Sequence, residues 1–459
     1  MRIRSLLIFS LFCLFIAACN KDEDITFDPN AKLSFSTDSV LFDTVFTSVG
    51  STHRRFKIFN PNAKAINIDQ ILLSGGANSP FSINVVGQNG LDFKNIKIKG
   101  NDSLNVLIKV TINPNTATSP FITEDSILFF FNGRKEKIPL VAYGQNAIFL
   151  KNVNINENTT WDSKLPYIIY SSVTVAENAE LKINPGSRIL FHNGATMNIK
   201  GSLIAQGTVK DSILFAGDRL ERIYEEEPGQ WNGLHFYPSS RNSIINNATI
   251  KNAAAGITVD SISNNNNPKL ILANTSVKNM QVVGFLGYHA SFTAFNNLFY
   301  NCGQYLMYGV GGGAYNLKQN TFAAYNFNFA RRTSALYFSD TISDKEFAPI
   351  NLNLTNNIIW GSLDNELFIE TVNSNNSTIN INGNLIKTLK NNYNNNNIIN
   401  QDPLFINPRI GNFEVRAESP VLAKGINLFN DPYFVPFLKH DKKNKERLFP
   451  SDLGCYQKN

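Results

Sequence analysis

Hydrophobic and polar positions alternate along most of the chain in short runs. From Lys32 to about Asn146 these runs include Lys32-Leu-Ser-Phe-Ser, Phe56-Lys-Ile-Phe, Ile66-Asn-Ile-Asp, Phe81-Ser-Ile-Asn-Val, Asn105-Val-Leu-Ile-Lys-Val and Ser126-Ile-Leu-Phe-Phe-Phe. Turn signals at Asn60-Pro61-Asn62, Gly75-Gly76 and Asn113-Pro114-Asn115 separate them. Period-two runs broken about every ten residues predict an antiparallel β-sandwich over 32–146.

Past residue 150 the pattern changes to a repeat. Asn or Gln is followed, three residues on, by an apolar residue: Asn247 to Ile250, Asn274 to Val277, Asn296 to Phe299, Gln319 to Phe322 and Asn356 to Ile359, with Gly383-Asn-Leu-Ile386 closing the series. The apolar marks lie 27, 22, 23, 37 and 27 residues apart. A period of that length without a helical apolar stripe predicts the coils of a solenoid. The Leu-x-x-Leu-x-Leu frame of a leucine-rich repeat is missing. A parallel β-helix fits, because inward side chains then stack on the same position one coil away, about 4.8 Å off. Asn at a corner can adopt the left-handed backbone and stack its amide in a ladder. Val173-Thr-Val, Leu181-Lys-Ile, Ile189-Leu-Phe, Met197-Asn-Ile, Leu203-Ile-Ala and Ile213-Leu-Phe read as earlier strands of the same stack. The fold class is therefore all-β, with a β-helix of about nine coils over 150–400, a rod roughly 40 Å long. Residues 401–459 read as a C-terminal cap that hides the open strand edge of the last coil. The Asn-rich stretch from Asn391 to Asn397 reads as a linker too polar to pack.

Composition agrees with this picture. The 459 residues exceed one ordinary domain, and with 43% hydrophobic and 17% charged residues the chain can bury a core. Asparagine occurs 65 times, roughly one residue in seven, a bias towards turns. Net charge is +6 with no dense basic stripe, so no nucleic-acid partner is expected. Four cysteines, two of them within the first 19 residues, exclude a disulfide scaffold.

The N-terminus reads as a targeting segment. Arg2 and Arg4 precede an apolar run, Leu6 to Ala18, too short to span a membrane. Phe15-Ile-Ala-Ala-Cys19 resembles the lipobox of bacterial lipoproteins, which implies a signal peptide at 1–18 and acylation of Cys19; the alternative is an ordinary cleavable signal with a coincidental Cys. Asn20-Lys-Asp-Glu-Asp24 is similar to the signal that sends some Gram-negative lipoproteins to the outer face of the outer membrane, and otherwise reads as a solvated tether. Residues 19–31 are thus expected to be a lipidated acidic tether on that membrane. Phe56-Lys-Ile-Phe-Asn-Pro61 resembles the strand-turn of hydin-type immunoglobulin-like domains, a spacer or docking module. Gly201-Ser-Leu-Ile-Ala-Gln-Gly-Thr208 and Trp231-Asn-Gly-Leu-His-Phe236 look like the opening coils of pectate-lyase-like right-handed β-helix proteins of bacterial surfaces. Asp402-Pro-Leu-Phe405, Gly411-Asn-Phe413, Ser419-Pro420, Gly425 and Asp452-Leu-Gly454 resemble their closing segment, with departures at Ala423 and Cys455. These likenesses specify fold better than activity.

Candidate chemistry is sparse. Residues 261 to 339 contain no Asp and no Glu, so the middle coils do not themselves supply the paired carboxylates of a glycosidase or the oxygen cluster of a calcium-dependent lyase. Counted from each apolar mark, Asp260, Tyr288, His289, Tyr308, Arg331, Arg332 and Glu370 fall at similar phases, which predicts one outward column. Tyr288, His289, Tyr308, Arg331 and Arg332 then form a candidate glycan-binding stripe, with rings for pyranose and Arg for a sugar carboxylate. A chance polar column is the competing explanation. Gly309-Val-Gly-Gly-Gly313 lacks the Lys-Ser/Thr of a phosphate loop and reads as a flat turn. Lys439 to Arg447 reads as a solvated loop, and Cys302 as a buried apolar residue. The favoured expectation is a surface protein that binds or presents extracellular polysaccharide. The rivals are a metal-independent polysaccharide lyase acting on an acidic glycan and a structural part of a surface complex. No cofactor and no metal is expected to take part.

Overall fold

A computed structural model describes residues 24–458 apart from 326, 328, 329, 374, 375, 394 and 395. The leader and Cys19 lie outside the described residues. The chain divides after Asn146 into two compact units.

The first unit consists of two five-stranded sheets. Ile58, Ile83 and Val106 from one sheet and Ile68, Ile127 and Leu140 from the other share a buried core. Phe56 meets Phe129 edge-on across it, with ring centroids 6.2 Å apart. Pairing is antiparallel except between Val40–Phe46 and Arg134–Gln145, which run parallel. The Asn-Pro turn after Phe59 is held by Asn60, buried to 1%. Its Nδ2 donates to the carbonyls of Lys64, Ile98 and Lys99 at 2.9–3.1 Å, so one amide fixes the turn to the neighbouring strand.

From Ile148 onward the strands pair in parallel with the strand one coil away, apart from two short antiparallel pairs, Thr341–Ser343 with Glu346–Phe347 and Phe405–Asn407 with Asn412–Val415. An eleven-stranded sheet makes the first face of a parallel β-helix. A sixteen-stranded sheet makes the second and third faces with nine strands on each, because Val283–Phe295 and Tyr305–Lys318 run through the corner and serve both. Nine complete coils result, followed by Leu385–Ile386 and Ile398–Ile399 on the first face. The repeat marks fall in register: Ile250, Val277, Phe299, Phe322, Ile359 and Ile386 stack coil upon coil, all at 0% exposure. Burying each such side chain contributes about 1.5–3 kcal/mol.

The corner asparagines divide two tasks between adjacent positions. Asn247, Asn274, Asn296, Gln319 and Asn356 take the left-handed backbone (φ 49–58°), as does Gly383. The residue after each turns inward. Asn297, Asn320, Asn357, Asn384 and Asn397 form the ladder, each Nδ2 donating to the Oδ1 of the next at 2.9–3.0 Å.

The cap closes a side of the stack. Phe405, Phe413, Val415, Leu453 and Cys455 pack against Leu298, Ala323, Ile358, Trp360 and Leu385, the outward side chains of the first face. Asn296 Nδ2 donates to the carbonyls of Phe437 (2.7 Å) and His440 (2.9 Å), and Asn356 pairs both ways with Ile426. The left-handed positions thus grip this segment, which we term the strap. The stretch read as a solvated loop belongs to it: Asp441 and Arg447 are buried, and Arg447 donates to Asn296 Oδ1 (2.8 Å) and to the Gly454 carbonyl (2.9 Å). Beyond the last coil it is the stretch read as an unpacked linker that supplies the covering residues. Tyr393 is 7% exposed and joins the β-helix core, and Asn397 continues the ladder. Of its described side chains, Tyr393 and Asn397 turn inward while Asn392 and Asn396 stay exposed.

Candidate functional site: a polar groove on the third face

The third face carries a groove of about 670 Å³, within the range of ligand sites. Two columns of short side chains, polar except at Ala314, form its floor. Ser291, Ala314, Asn351 and Thr378 make one, and Thr293, Asn316, Asn353 and Asn380 the other, in register from coil to coil. Rungs lie about 4.8 Å apart along the stack, and Asn353 Nδ2 donates to Asn316 Oδ1 at 3.3 Å. The loop containing Asn265–Pro268 and Tyr433 of the strap line its margins. Asn265 and Asn267 both donate to Asn242 Oδ1 (3.1 and 3.2 Å), which ties that loop down. Among the described residues lining the groove, none is Asp, Glu, Lys or Arg.

The glycine run, read as a flat turn, makes the floor possible. At the corner His289 opposes both Gly311 and Gly312, a bulge that lets two long strands bend from the second face to the third. Gly312 and Gly313 have φ of 69° and 120°, and a Cβ on either would meet backbone oxygen at 2.3–2.4 Å. No other residue fits there.

The predicted column is only partly assembled. Tyr288, 50% exposed, and Tyr308 stay on the second face. His289 turns through the corner to line the groove, its Nδ1 bonded to the Gly311 carbonyl at 2.7 Å. Arg331 does not reach the surface. Its guanidinium is buried against Glu366, with Nη2 at 2.6 and 2.7 Å from the two carboxylate oxygens. Glu366 also accepts the backbone N–H groups of Ala335 and Leu363. Burial pushes the Glu366 carboxyl up, opposed by Arg331 and those N–H groups. Arg332 beside it is exposed. Counting from an apolar mark assumes equal coils, and the longest coil carries extra residues ahead of Leu336. The true column through Tyr308 continues to Tyr337 and Phe368. Tyr308 and Tyr337 stack at 5.0 Å and 24°, Tyr337 and Phe368 at 5.5 Å and 3°. Rings that cover one another leave edges, not faces, for a sugar. Asp260 and Glu370 bond elsewhere, to His235 and to the Tyr337 hydroxyl.

Several functional-looking groups escaped the sequence reading. His192 Nδ1 lies 2.7 Å from Asp218 Oδ2, and His235 Nε2 lies 2.7 Å from Asp260 Oδ2. Burial holds Asp218 above the usual carboxylate range although His192 opposes it. The partners are 26 and 25 residues apart, one coil, and that spacing was the available signal. Lys269 is buried at the next corner, its Nζ donating to the Asp260 carbonyl (2.6 Å), the Pro238 carbonyl (2.9 Å) and Ser261 Oγ (2.9 Å). Burial lowers it to about 8. The acid-free middle coils also receive carboxylates from outside: Glu226 reaches Lys278, and Asp431 reaches Lys318. Among the described residues no three His, Cys, Asp or Glu side chains are grouped so as to hold a metal ion, and no helix is long and apolar enough to cross a membrane.

Residues 140–322 match the family described as "Right handed beta helix region", in agreement with the coil stack. Among curated proteins none matches the chain. Among solved structures, a family 123 glycoside hydrolase from Clostridium perfringens is 10% identical, with a TM-score of 0.19; the likeness covers 28% of this chain and 30% of that one. The catalytic unit of a thermostable GH87 alpha-1,3-glucanase from Streptomyces thermodiastaticus strain HF3-3 is 11% identical, with a TM-score of 0.27, covering 72% of this chain and 79% of that one. At those TM-scores neither likeness bears on what this chain does.

Proposed function

We propose that the protein binds extracellular polysaccharide in the groove of the third face, as a non-catalytic module held at the outer membrane through an acylated Cys19. The observation that carries the binding reading is the floor itself: two columns of Ser, Thr and Asn broken only at Ala314, uncharged and repeating at the coil spacing. A ladder of hydroxyls and amides at a constant rise matches a polymer of hydroxylated rings better than it matches a compact ligand. Neutral polar side chains exchange hydrogen bonds with sugar hydroxyls at little desolvation penalty, whereas a buried charge would demand a partner. The lyase reading is weakened at one of its two arginines, since Arg331 is committed to Glu366 while Arg332 stays exposed. In this reading the first unit, with its immunoglobulin-like likeness, serves as a spacer or docking module.

Glycan-array binding of the full chain, compared with Asn316→Ala/Asn351→Ala, tests the groove. Neutral polysaccharide binding that falls about tenfold or more in the double variant is expected; unaltered binding removes the groove from the account. Ultraviolet-absorbing unsaturated sugar released from an acidic glycan would restore the lyase. Labelling with an acyl donor, lost in Cys19→Ala, is the expected result for the anchor.

A further inference from the structure

A second cavity, of about 280 Å³, lies over the outer side of the first face, where the strap turn at 408–411 stands beside coils 6 to 8. One wall is aromatic. Tyr325 and Phe327 lie 5.9 Å apart with planes within 5°, and Phe413 lies 6.3 Å from Tyr325 at 22°. The other wall is polar and comes from a second corner ladder. Asn252, Asn279 and Asn301 adopt φ of 53–67°, and Asn301 Nδ2 donates to Asn279 Oδ1 at 2.7 Å. The acidic loop at 225–227 folds onto this ladder: Glu226 bonds Lys278 (3.1 Å) and Asn279, while Asn252 Nδ2 donates to the Tyr224 and Glu225 carbonyls.

The charges do not cancel. Glu226 neutralises Lys278, and those bonds outweigh burial to hold its carboxyl below the usual range. Arg409, on the strap, has no carboxylate partner among the described residues. Its guanidinium instead lies over the Phe327 ring, 4.8 Å from the centroid. The pocket therefore presents one planar, bidentate donor without a carboxylate partner, beside aromatic edges and amide groups. Its volume is below that of a typical drug-sized site, room for about one ring.

We propose that this pocket binds a single uronic acid residue, its carboxylate on Arg409, its ring beside the edge of the half-buried Tyr325 and its hydroxyls on Asn301 and Tyr300. Guanidinium and carboxylate match as two parallel hydrogen bonds. The fixed negative charge of Glu226 sets the orientation, since it repels the carboxylate from the Lys278 end. Arg409 and Phe413 belong to the strap, so the pocket needs the strap in place. The site is independent of the neutral groove on the third face.

Calorimetric titration of the full chain with glucuronate, galacturonate, glucose and acetate tests it. Either uronate binding at least about tenfold more tightly than both glucose and acetate is the expected result, with Arg409→Gln reducing uronate affinity to the level of glucose. Arg409 is exposed, so the variant folds, and an unchanged melting midpoint checks it. Asn316→Ala/Asn351→Ala leaves uronate binding intact, which separates this site from the groove. Uronate binding equal to glucose, equal to acetate, absent, or unaffected by Arg409→Gln would each overturn the proposal.

Discussion

At the scale of single residues, asparagine does two kinds of work, and both explain why the chain holds so much of it. Among the described residues, 15 of the 22 non-glycine residues with positive φ are asparagine. The side chain tolerates that conformation because its amide is short and can bond locally. The ladder asparagines work differently, as interior hydrogen-bonding groups. Asn320 illustrates the point: Oδ1 accepts from the backbone N–H and the Nδ2 of Asn297, and Nδ2 donates to the Ala294 carbonyl and to Asn357 Oδ1. All lie at 0% exposure. Asn320→Ala takes this partner from the two Asn297 donors and the Ala294 carbonyl, while Asn357 Oδ1 keeps the Asn320 backbone N–H. We expect a loss of about 3 kcal/mol in denaturant unfolding, against less than about 0.5 kcal/mol for the exposed Asn376→Ala. Equal effects at the two positions would mean that the ladder is ornament.

At the scale of elements, the strap depends on buried charge. Lys442 is partly buried, and its Nζ donates to the Asn274 carbonyl at 2.8 Å. Burial lowers it to about 8, opposed by Cys455 and Asp441 beside it. An unfolded lysine titrates at 10.5, so between about pH 8 and 10.5 the unfolded chain binds more protons than the folded one. Stability from this group therefore rises with pH across that window. Lys442→Met removes the titration, and the thermal stability of the wild type should gain on the variant between pH 7.5 and 10. Melting curves of both proteins at the two pH values read this directly, because groups that Lys442 does not touch titrate alike in both, and folded Cys455, pushed up to about 11 by burial against the pull of Lys442, titrates above the window and rises further in the variant. A constant difference would mean that Lys442 titrates as a solvated group. The coil stack was legible in the residues because stacking demands strict register: spacings of 22 to 27 residues survived as Asn-x-x-apolar marks. The strap's place was not legible, although a signal existed. Thr321–Ala324 and Ile358–Gly361 are buried at every position, the mark of a strand covered on both sides. The proposed column failed for a related reason. A bulge at His289 shifts the phase without changing the spacing of the inward marks, and the extra residues around Arg331, which lengthen one spacing to 37, shift it again.

At the scale of the whole molecule, the division after Asn146 is one of cores as well as of chain. The sandwich core and the β-helix core share no residue, and each is built from strands that pair only within their own unit. Topology sets the two apart further. The sandwich combines local hairpins with pairings of strands distant in sequence, such as Val40–Phe46 with Arg134–Gln145, so its two sheets close only when both ends of the unit are in place. The β-helix pairs each strand with the one a coil away, so its stability grows by nearest-neighbour addition as in other stacked repeats. Separate cores with separate pairing predict separate folding. Residues 24–146 and residues 147–459, expressed apart, should each give a cooperative calorimetric transition within a few degrees of one seen in the full chain. The longer piece must retain the strap, since without it Leu298, Ile358, Trp360 and Leu385 of the first face would meet water as one apolar strip and drive association. Failure of either piece to melt cooperatively would show that the two cores are coupled.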